Sequence, residues 1–452
     1  MTELRGRRPV RAEKPPGPPQ TAIPLDAIRP GLPPSPAAGA QPRHAPRPRG
    51  RPIRIWFLIR DSEIGGAERQ LIVLAKGLHQ RGHDVSVVTF YPGGGFWPEL
   101  NSCGFKVISL NKCGRWDVVP FMFRLVRAAR EARPDVVHSY TNGPNILVTL
   151  LRWLLACRKV VWGVRASDMD AGTYDWLSSL TIRWAPRLAP LADLIIANSQ
   201  AGQSHLMRQG VPQGKIIVIP NGIDTARFAP DPEAGKQVRA EWGIADEAVA
   251  IGIVARLVQK KNHPAFLKAA AALRRRLPTA KFVCVGSGPR PYLMYLQEIA
   301  RDMGVSDAVI WAGERTDMPA VYNALDVVCL TSAFGEGFPN AVGEAMSCGV
   351  PCIVTDNGDA ALVVEDAGEV VRGDDPVQLA DAMERVARRS WKRASREACR
   401  QRIEEQFSVA ALIETTERAL QRLLYGEERI HDKEPAEAAK NKTTMYDDEW
   451  ST

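Results

Sequence analysis

From residue 53 the chain alternates short, β-branched apolar runs with longer stretches whose apolar positions recur at helical spacing. Strands are predicted at 53–59, 84–89, 107–110, 135–138, 159–163, 193–197 and 216–219, each separated by a helix-length segment, the first of them at 66–81. This βαβ rhythm implies a parallel sheet. The stretch 229–235, APDPEAG, is rich in Pro and Gly and reads as a linker. A second series follows, with strands at 249–254, 281–285, 308–311, 327–330 and 352–355, near-continuously apolar as in a sheet covered on both faces. The fold class is therefore α/β, with two doubly wound Rossmann-like domains at 53–228 and 236–406. Ligands of such sheets bind beyond the carboxyl ends of the strands, so the functional residues are expected where strand-end loops face across a cleft.

Composition trims the picture at both ends. Residues 1–52 carry 14 prolines and a charge of +7, and residues 426–452 carry −4 without apolar period, so both read as unfolded tails. Most of the net charge of +8 thus sits in a tail rather than on a folded face, which argues against a nucleic-acid partner. Eight cysteines lie scattered, with no CxxC pair and no clustered histidines, as reduced thiols of a cytosolic protein would. Arg7 and Arg8 are followed by no apolar segment of an export signal, and no uninterrupted run of about 20 apolar residues exists. The expectation is a cytoplasmic protein that does not span a membrane.

Three places carry candidate chemistry. After the first strand, Gly65 and Gly66 open a helix whose free N–H groups can receive an anion, although a plain packing turn fits equally well. After the first strand of the second domain, Arg256 and Lys261 place two cations five residues apart at a strand end, a pair able to grip a diphosphate; a solvated basic loop is the plain alternative. Further on, Glu336-Gly337-Phe338-Pro339-Asn340 leads into a helix that carries Glu344, giving a Glu, seven residues, Glu spacing. A glycine before a helix start lets backbone N–H groups approach a phosphate, and Glu344 can accept two ribose hydroxyls; either carboxylate can also simply offset the helix dipole. Neither GxGxxG nor GxxxxGK[ST] occurs, which lowers the case for a nicotinamide enzyme or a P-loop NTPase.

With these residues in hand, the chain resembles the retaining glycosyltransferases of family four, which have the GT-B fold. The resemblance rests on GGAERQLIVLAKGLHQRGHDVSVVT, ANSQAGQSHLMRQG, VIPNGIDTARFAP, GIVARLVQKKNH, FVCVGSGP and TSAFGEGFPNAVGEAMSCGVPCIVTDNGD, in that order, and covers residues 53 to about 425. It implies a nucleotide-sugar donor, a UDP-sugar by family frequency, as co-substrate, and neither cofactor nor metal. Arg256 and Lys261 would hold the diphosphate, and the backbone of Gly65, Gly66, Gly337, Phe338, Pro339 and Asn340 would cradle the phosphates. Glu344 would bind the ribose, Glu336 would lie beside the transferred sugar, and Arg315 would stand near the nucleobase. The segment 407–425 would cross back onto the first domain. The acceptor hydroxyl would attack from the face that the diphosphate leaves, with retained anomeric configuration and no enzyme nucleophile, unlike the paired acids of glycosidases.

Departures from the family pattern narrow this. Many members carry a His after the fifth strand; here Arg165 takes its place, and an Arg cannot act as a base. The frequent Gly-Gly after residue 355 is Gly358-Asp359 here, which puts one phosphate or sugar contact in doubt. Asp168-Met169-Asp170 mimics the DxD metal motif of the other glycosyltransferase fold, and no metal role is assigned to it. Among the histidines, only His138 at a strand end and His263 beside the basic loop invite a test. The segment 118–133 sets Phe121, Phe123, Leu125 and Val126 among four arginines, and Trp153, Trp162, Trp176 and Trp184 add aromatic surface. An anionic membrane surface and a sugar or lipid-linked sugar acceptor in cell-surface glycan synthesis are the expected partners, with the enzyme peripheral at the cytoplasmic face. Two other classes stand beside this one. A sugar-nucleotide epimerase shares the fold but would lack the Glu, seven residues, Glu pattern, and a silent scaffold would have lost Glu336, Arg256 or Lys261.

Overall fold

The computed structural model describes residues 51–426 apart from 64, 115, 166–175, 373–374 and 389–392. The Asp168-Met169-Asp170 motif, the Trp176 side chain and nearly all of both tails lie outside the described residues.

In the first lobe, β1 (Arg54–Ile59), α1 (Gly66–Gln80), β2 (Asp84–Thr89), α2 (Trp97–Ser102), β3 (Lys106–Ser109) and α3 (Val118–Ala132) come first. Then follow β4 (Val136–Tyr140), α4 (Asn142–Leu151), β5 (Lys159–Val164), α5 (Trp176–Leu188), β6 (Leu194–Ala197), α6 (Gln200–Arg208) and β7 (Ile216–Val218). The strands form one parallel sheet in the order β3-β2-β1-β4-β5-β6-β7. The second lobe runs α7 (Pro232–Glu241), β8 (Ala250–Val254), α8 (His263–Arg274), β9 (Lys281–Val285), α9 (Arg290–Asp302), β10 (Val309–Gly313), α10 (Met318–Ala324) and β11 (Val327–Leu330). It continues through α11 (Asn340–Ser347), β12 (Cys352–Thr355), α12 (Ala360–Val364), β13 (Gly368–Val371), α13 (Pro376–Arg388) and α14 (Arg393–Gln406). Its parallel sheet is ordered β10-β9-β8-β11-β12-β13.

Two elements depart from the sequence reading. The supposed linker at 229–235 already contains the start of α7: Asp231 caps it, accepting from Ala234 N at 3.1 Å, and Pro232 occupies the first turn, where its missing N–H costs nothing. The edge strand β13 escaped notice because Gly-Glu-Val-Val is too short to show a period. All eight cysteines are free thiols, five of them buried, whereas Cys113 is exposed rather than in a core.

The strand order reverses between β1 and β4 in one sheet and between β8 and β11 in the other, so both crevices open at the carboxyl ends of these strands. The lobes are joined where the chain passes twice. Ile223 N donates to Phe407 O at 2.7 Å and Val409 N to Ile223 O at 3.1 Å, a single parallel bridge between the outgoing and returning segments. From there α15 (Val409–Tyr425) runs back over the first lobe, burying Leu412, Ile413, Leu420 and Leu424 in the same apolar cluster as Leu71, Leu74 and Leu78 of α1. Its Glu417 pairs with Arg81 and, at 2.9 Å, with His83 Nε2, while His83 Nδ1 accepts from Ile53 N at 3.1 Å. That second bond fixes the tautomer, so the Nε2 proton is the one given to Glu417.

Candidate donor site between the lobes

Two helices begin face to face across the cleft. At the start of α1, Gly65 is extended (φ −155°, ψ 164°) and contributes no side-chain cap; at the start of α11, Pro339 likewise leaves the first N–H groups uncapped. The ends are close enough that a Cβ on Gly66 would lie 3.3 Å from Asn340 Nδ2. Neither helix is capped by its N-cap side chain, although in α1 the Glu68 carboxylate of the first turn takes its own N–H; the N–H groups that remain at the two converging positive dipole ends make an anion site.

The charged residues predicted from sequence gather beside it. A single 3-10 turn at Gln259–Lys261 follows β8, and Thr331 Oγ1 donates to Lys261 O at 2.9 Å, fastening this loop to the one after β11. Lys261 Nζ forms an ion pair with Glu336, whose Oε1 also accepts from Ser332 Oγ at 2.6 Å. Burial pushes the Glu336 carboxyl up, but the Lys261 ammonium and the Ser332 hydroxyl more than offset it, so the group lies below its ordinary range and is ionised at neutral pH. Arg256 is exposed at the cleft mouth; its charge acts on Glu68 of α1 across the cleft and on Lys260 of its own loop. Lys260 is lowered by burial and by Lys261 beside it. Arg256, Lys260 and Lys261 therefore crowd one another, an arrangement that a bound anion would relieve.

Glu344 lies one turn into α11, half-buried, and its Oε2 accepts from Tyr322 Oη at 2.8 Å. Burial pushes its carboxyl up to about 7, against the Tyr322 hydroxyl and the Arg227 and Arg69 guanidiniums. It lines a cleft of about 730 Å³ shared with Gly65, Gly66, Asp224, Arg227 and Asn340. Arg315 lines the same cleft but is held by the side chains of Glu241 and Asp317, at 3.0 and 2.7 Å through Nη2, beneath the ring of Trp242. With both carboxylates on its fork, Arg315 offers its face rather than its donors to a ligand. Phe338 turns its ring into the second lobe's core against Phe407 at 5.2 Å, so only its backbone faces the site.

Arg165 directly follows β5 and stacks on Tyr140 at 4.8 Å. Its Nη2 donates to Tyr140 Oη at 2.8 Å and its Nη1 to Asn221 Oδ1 at 3.0 Å; Asn221 Nδ2 in turn donates to Asn340 Oδ1 at 2.8 Å. Sequence reasoning missed Asn221, Tyr140 and Tyr322, although Asn221 lies in the quoted VIPNGID stretch. The two histidines singled out are internal. His138 is wholly buried between Phe57 and Tyr140 and held neutral by burial and by Arg165; His263 is lowered to about 4 by burial and by Lys261. Among the described residues, no group of three His, Cys, Asp or Glu is placed to hold a metal ion.

The aromatic residues divide. Trp162 is only 1% exposed and donates to Thr149 Oγ1 at 2.8 Å, and Phe121 and Leu125 face the core, so these are not surface groups. Trp116 and Trp153, each 88% exposed, lie on the first lobe's surface with Phe123, Leu154 and Leu191. Arg130 Nε donating to Leu154 O at 3.0 Å ties α3 to the segment after α4, and Arg152 Nη1 donating to Leu191 O at 2.7 Å ties that segment to the one after α5. Exposed Leu154 and Leu191 thereby lie beside the guanidiniums of Arg130 and Arg152. No described helix is long and apolar enough to cross a membrane.

Comparison with known proteins places this geometry. Residues 64–227 match the family described as Glycosyltransferase Family 4 and residues 248–389 that described as Glycosyl transferases group 1, together about two thirds of the chain. A GDP-mannose-dependent alpha-(1-6)-phosphatidylinositol monomannoside mannosyltransferase of Mycolicibacterium smegmatis is 34% identical over 199 residues, 42% of this chain and 51% of that one, so the chain spans about half of that relative. A UDP-Gal:alpha-D-GlcNAc-diphosphoundecaprenol alpha-1,3-galactosyltransferase of Escherichia coli is 27% identical, covering 65% of this chain and 76% of that one. Among solved structures, Anabaena HepE in complex with UDP-glucose superposes with a TM-score of 0.72 at 25% identity, over 82% of this chain and 99% of that one. The two matched halves coincide with the two parallel-sheet lobes, and the chain belongs to the family 4, group 1 glycosyltransferases of the GT-B fold.

Proposed function

We propose that this glycosyltransferase moves a sugar, with retention of anomeric configuration and without a metal, from a nucleoside diphosphate sugar to a saccharide or lipid-linked saccharide acceptor. The observation that carries the reading is the convergence of two helix starts without an N-cap side chain, α1 and α11, on the side of the Arg256, Lys260 and Lys261 cluster. The diphosphate lies across these N–H groups, with Arg256 and Lys261 neutralising the charge that grows as it leaves. Glu344 accepts from the ribose hydroxyls. Glu336, ionised beside Lys261, faces the sugar and steadies positive charge at the anomeric carbon. The bond from that carbon to the diphosphate oxygen breaks while the acceptor oxygen bonds on the same face, and the acceptor proton passes to the departing diphosphate. Arg165 stands at the neighbouring strand end, where its charge favours an anionic group of the donor or acceptor.

UDP is the first nucleotide to test. Calorimetry with UDP, GDP and ADP should find one preferred, with its affinity weakened about tenfold or more in Glu344→Ala through lost hydrogen bonds. No binding of any of the three removes the donor-site reading. The setting proposed is cell-surface polysaccharide synthesis at the cytoplasmic face, and a peripheral place on an anionic bilayer is supported by the exposure of Trp116, Phe123 and Trp153 on the first lobe and by Arg152 stacked on Trp153. Co-sedimentation with phosphatidylglycerol vesicles at low salt should retain the wild type and lose the Phe123→Ser/Trp153→Ser variant. A protein that stays in the supernatant refutes it.

A further inference from the structure

Asp359 stands where the sequence departs from its family. It occupies the N-cap position of α12, the usual place for an Asp to cap its own helix, yet makes no cap bond there. Its carboxylate instead crosses the cleft: Oδ2 accepts from Gln200 N at 2.7 Å and Oδ1 from Ala201 N at 2.9 Å, the first two N–H groups of α6 in the other lobe. The third, Gly202 N, is taken at 3.0 Å by the helix's own cap, Ser199 Oγ. The three leading donors of α6 are thus satisfied jointly by the two lobes, with a buried carboxylate at the positive end of the dipole.

The same residue is wired to the sugar side of the site. Asp359 N donates to Gly337 O at 3.2 Å, and two residues earlier Asn357 Oδ1 accepts from Glu336 N at 3.3 Å. Between them Gly358, at φ +63°, packs so closely on Glu336 that a Cβ would collide with its carbonyl. Gly337 also meets the other lobe directly, since a Cβ there would lie 2.9 Å from Asn198 Oδ1, two residues before α6. The turn at 357–359 therefore grips the Glu336–Gly337 backbone on one side and the start of α6 on the other.

We propose that Asp359 is a positioning residue that couples closure of the lobes to the placement of the Glu336–Gly337 loop. When its carboxylate seats on α6, the turn is fixed and so is the loop that presents Glu336; when the lobes part, the turn is released and the loop loosens. The inference rests on the glycosyl-transfer reading for its meaning, but its test does not need the substrate.

Hydrogen exchange read by mass spectrometry on the full chain follows two peptides, 198–204 and 333–341. Two variants cut the contact from opposite lobes: Asp359→Ala, and Gln200→Pro, which removes one donor at a first-turn position that accepts Pro after the extended Ser199. Each should speed exchange in 333–341 by about tenfold or more, with strand peptide 84–89 unchanged. Asp359→Asn, which keeps an acceptor oxygen, should restore part of the protection. The double variant should be no worse than the stronger single one, as expected for two cuts in one link. If Gln200→Pro leaves 333–341 as protected as in the wild type, or if the two effects simply add, the coupling does not exist. Nucleotide binding is measured beside this: failure of UDP, GDP and ADP to bind the wild type defeats the donor-site reading, and loss of coupling with binding intact defeats this inference alone.

Discussion

Replacing Glu344 by Gln should stabilise the free protein while weakening nucleotide binding, and both effects should depend on pH. Burial holds the folded-state carboxyl at about 7 against an ordinary 4.5, a gap equivalent to about 3 kcal/mol. In the unfolded chain the group loses its proton near its ordinary value, whereas the folded chain keeps it until about 7, so between these values the folded state binds more protons and stability falls as pH rises. Above about 7 the whole penalty is present; below the ordinary value it is absent. Gln has the same shape, carries no charge and still offers an oxygen to Tyr322 Oη, so the variant escapes the penalty. Urea titrations at pH 4.5, 6 and 8 should show the two proteins alike at the lowest pH and the variant ahead by about 2–3 kcal/mol at the highest. In the proposed role the ionised carboxylate is the form that accepts from ribose hydroxyls, so wild-type affinity relative to the variant should rise about tenfold from pH 6 to pH 8, a ratio that cancels the titration of the nucleotide's own phosphate. A stability difference that is flat across this range, or a variant less stable than wild type at pH 8, refutes the placement of Glu344 in a desolvated ribose site.

The sequence displayed what repeats and what is chemically conspicuous. Apolar runs such as those of β1 and β8 give both sheets because strands covered on two faces can be little else. The residues proposed for the donor, Arg256, Lys261, Glu336 and Glu344, follow strand ends or lie at the start of a helix, so their chemistry was visible once the sheets were drawn. What stayed hidden are contacts whose two ends lie far apart in the chain. Nothing local distinguishes Asp359 from an ordinary helix cap, and its partners on α6 are some 160 residues earlier. Asn221 looks like a turn residue, yet it carries a hydrogen-bonded path from Arg165 to Asn340. The tryptophans show the converse limit: Trp153 and Trp162 have similar local sequence surroundings, but one lies in a strand beneath a helix and the other follows a helix end, which decides exposure.

Three further outcomes follow from named contacts. Glu417→Gln should cost about 2–3 kcal/mol at pH 7 and loosen α15, because the Arg81 and His83 partners lie in a largely buried site. Burial pushes the Glu417 carboxyl up, but His83 and Arg81 bring it below its ordinary value, so the loss should fade as pH falls below the carboxylate range; a loss constant from pH 3 to 7 in urea titration contradicts this. Gly358→Ala forces a side chain into a left-handed position against the Glu336 carbonyl and should cost about 2–4 kcal/mol, whereas an effect under about 0.5 kcal/mol means the turn is not held as described. Lys261→Met is the most informative, because it removes the main cation from a buried carboxylate. Glu336 keeps Ser332 Oγ and the weaker pull of Lys260, but without the Lys261 ammonium burial prevails and its carboxyl rises above the ordinary range. The deficit should therefore be small at pH 4, where the group is protonated in both states, and grow to about 3 kcal/mol at pH 8. Adding Glu336→Gln should recover most of it, since the buried charge is then gone. A deficit independent of pH, or a double variant no more stable than Lys261→Met, would mean that the ion pair does not hold Glu336 in its ionised form, and the role proposed for that charge beside the anomeric carbon would fall with it.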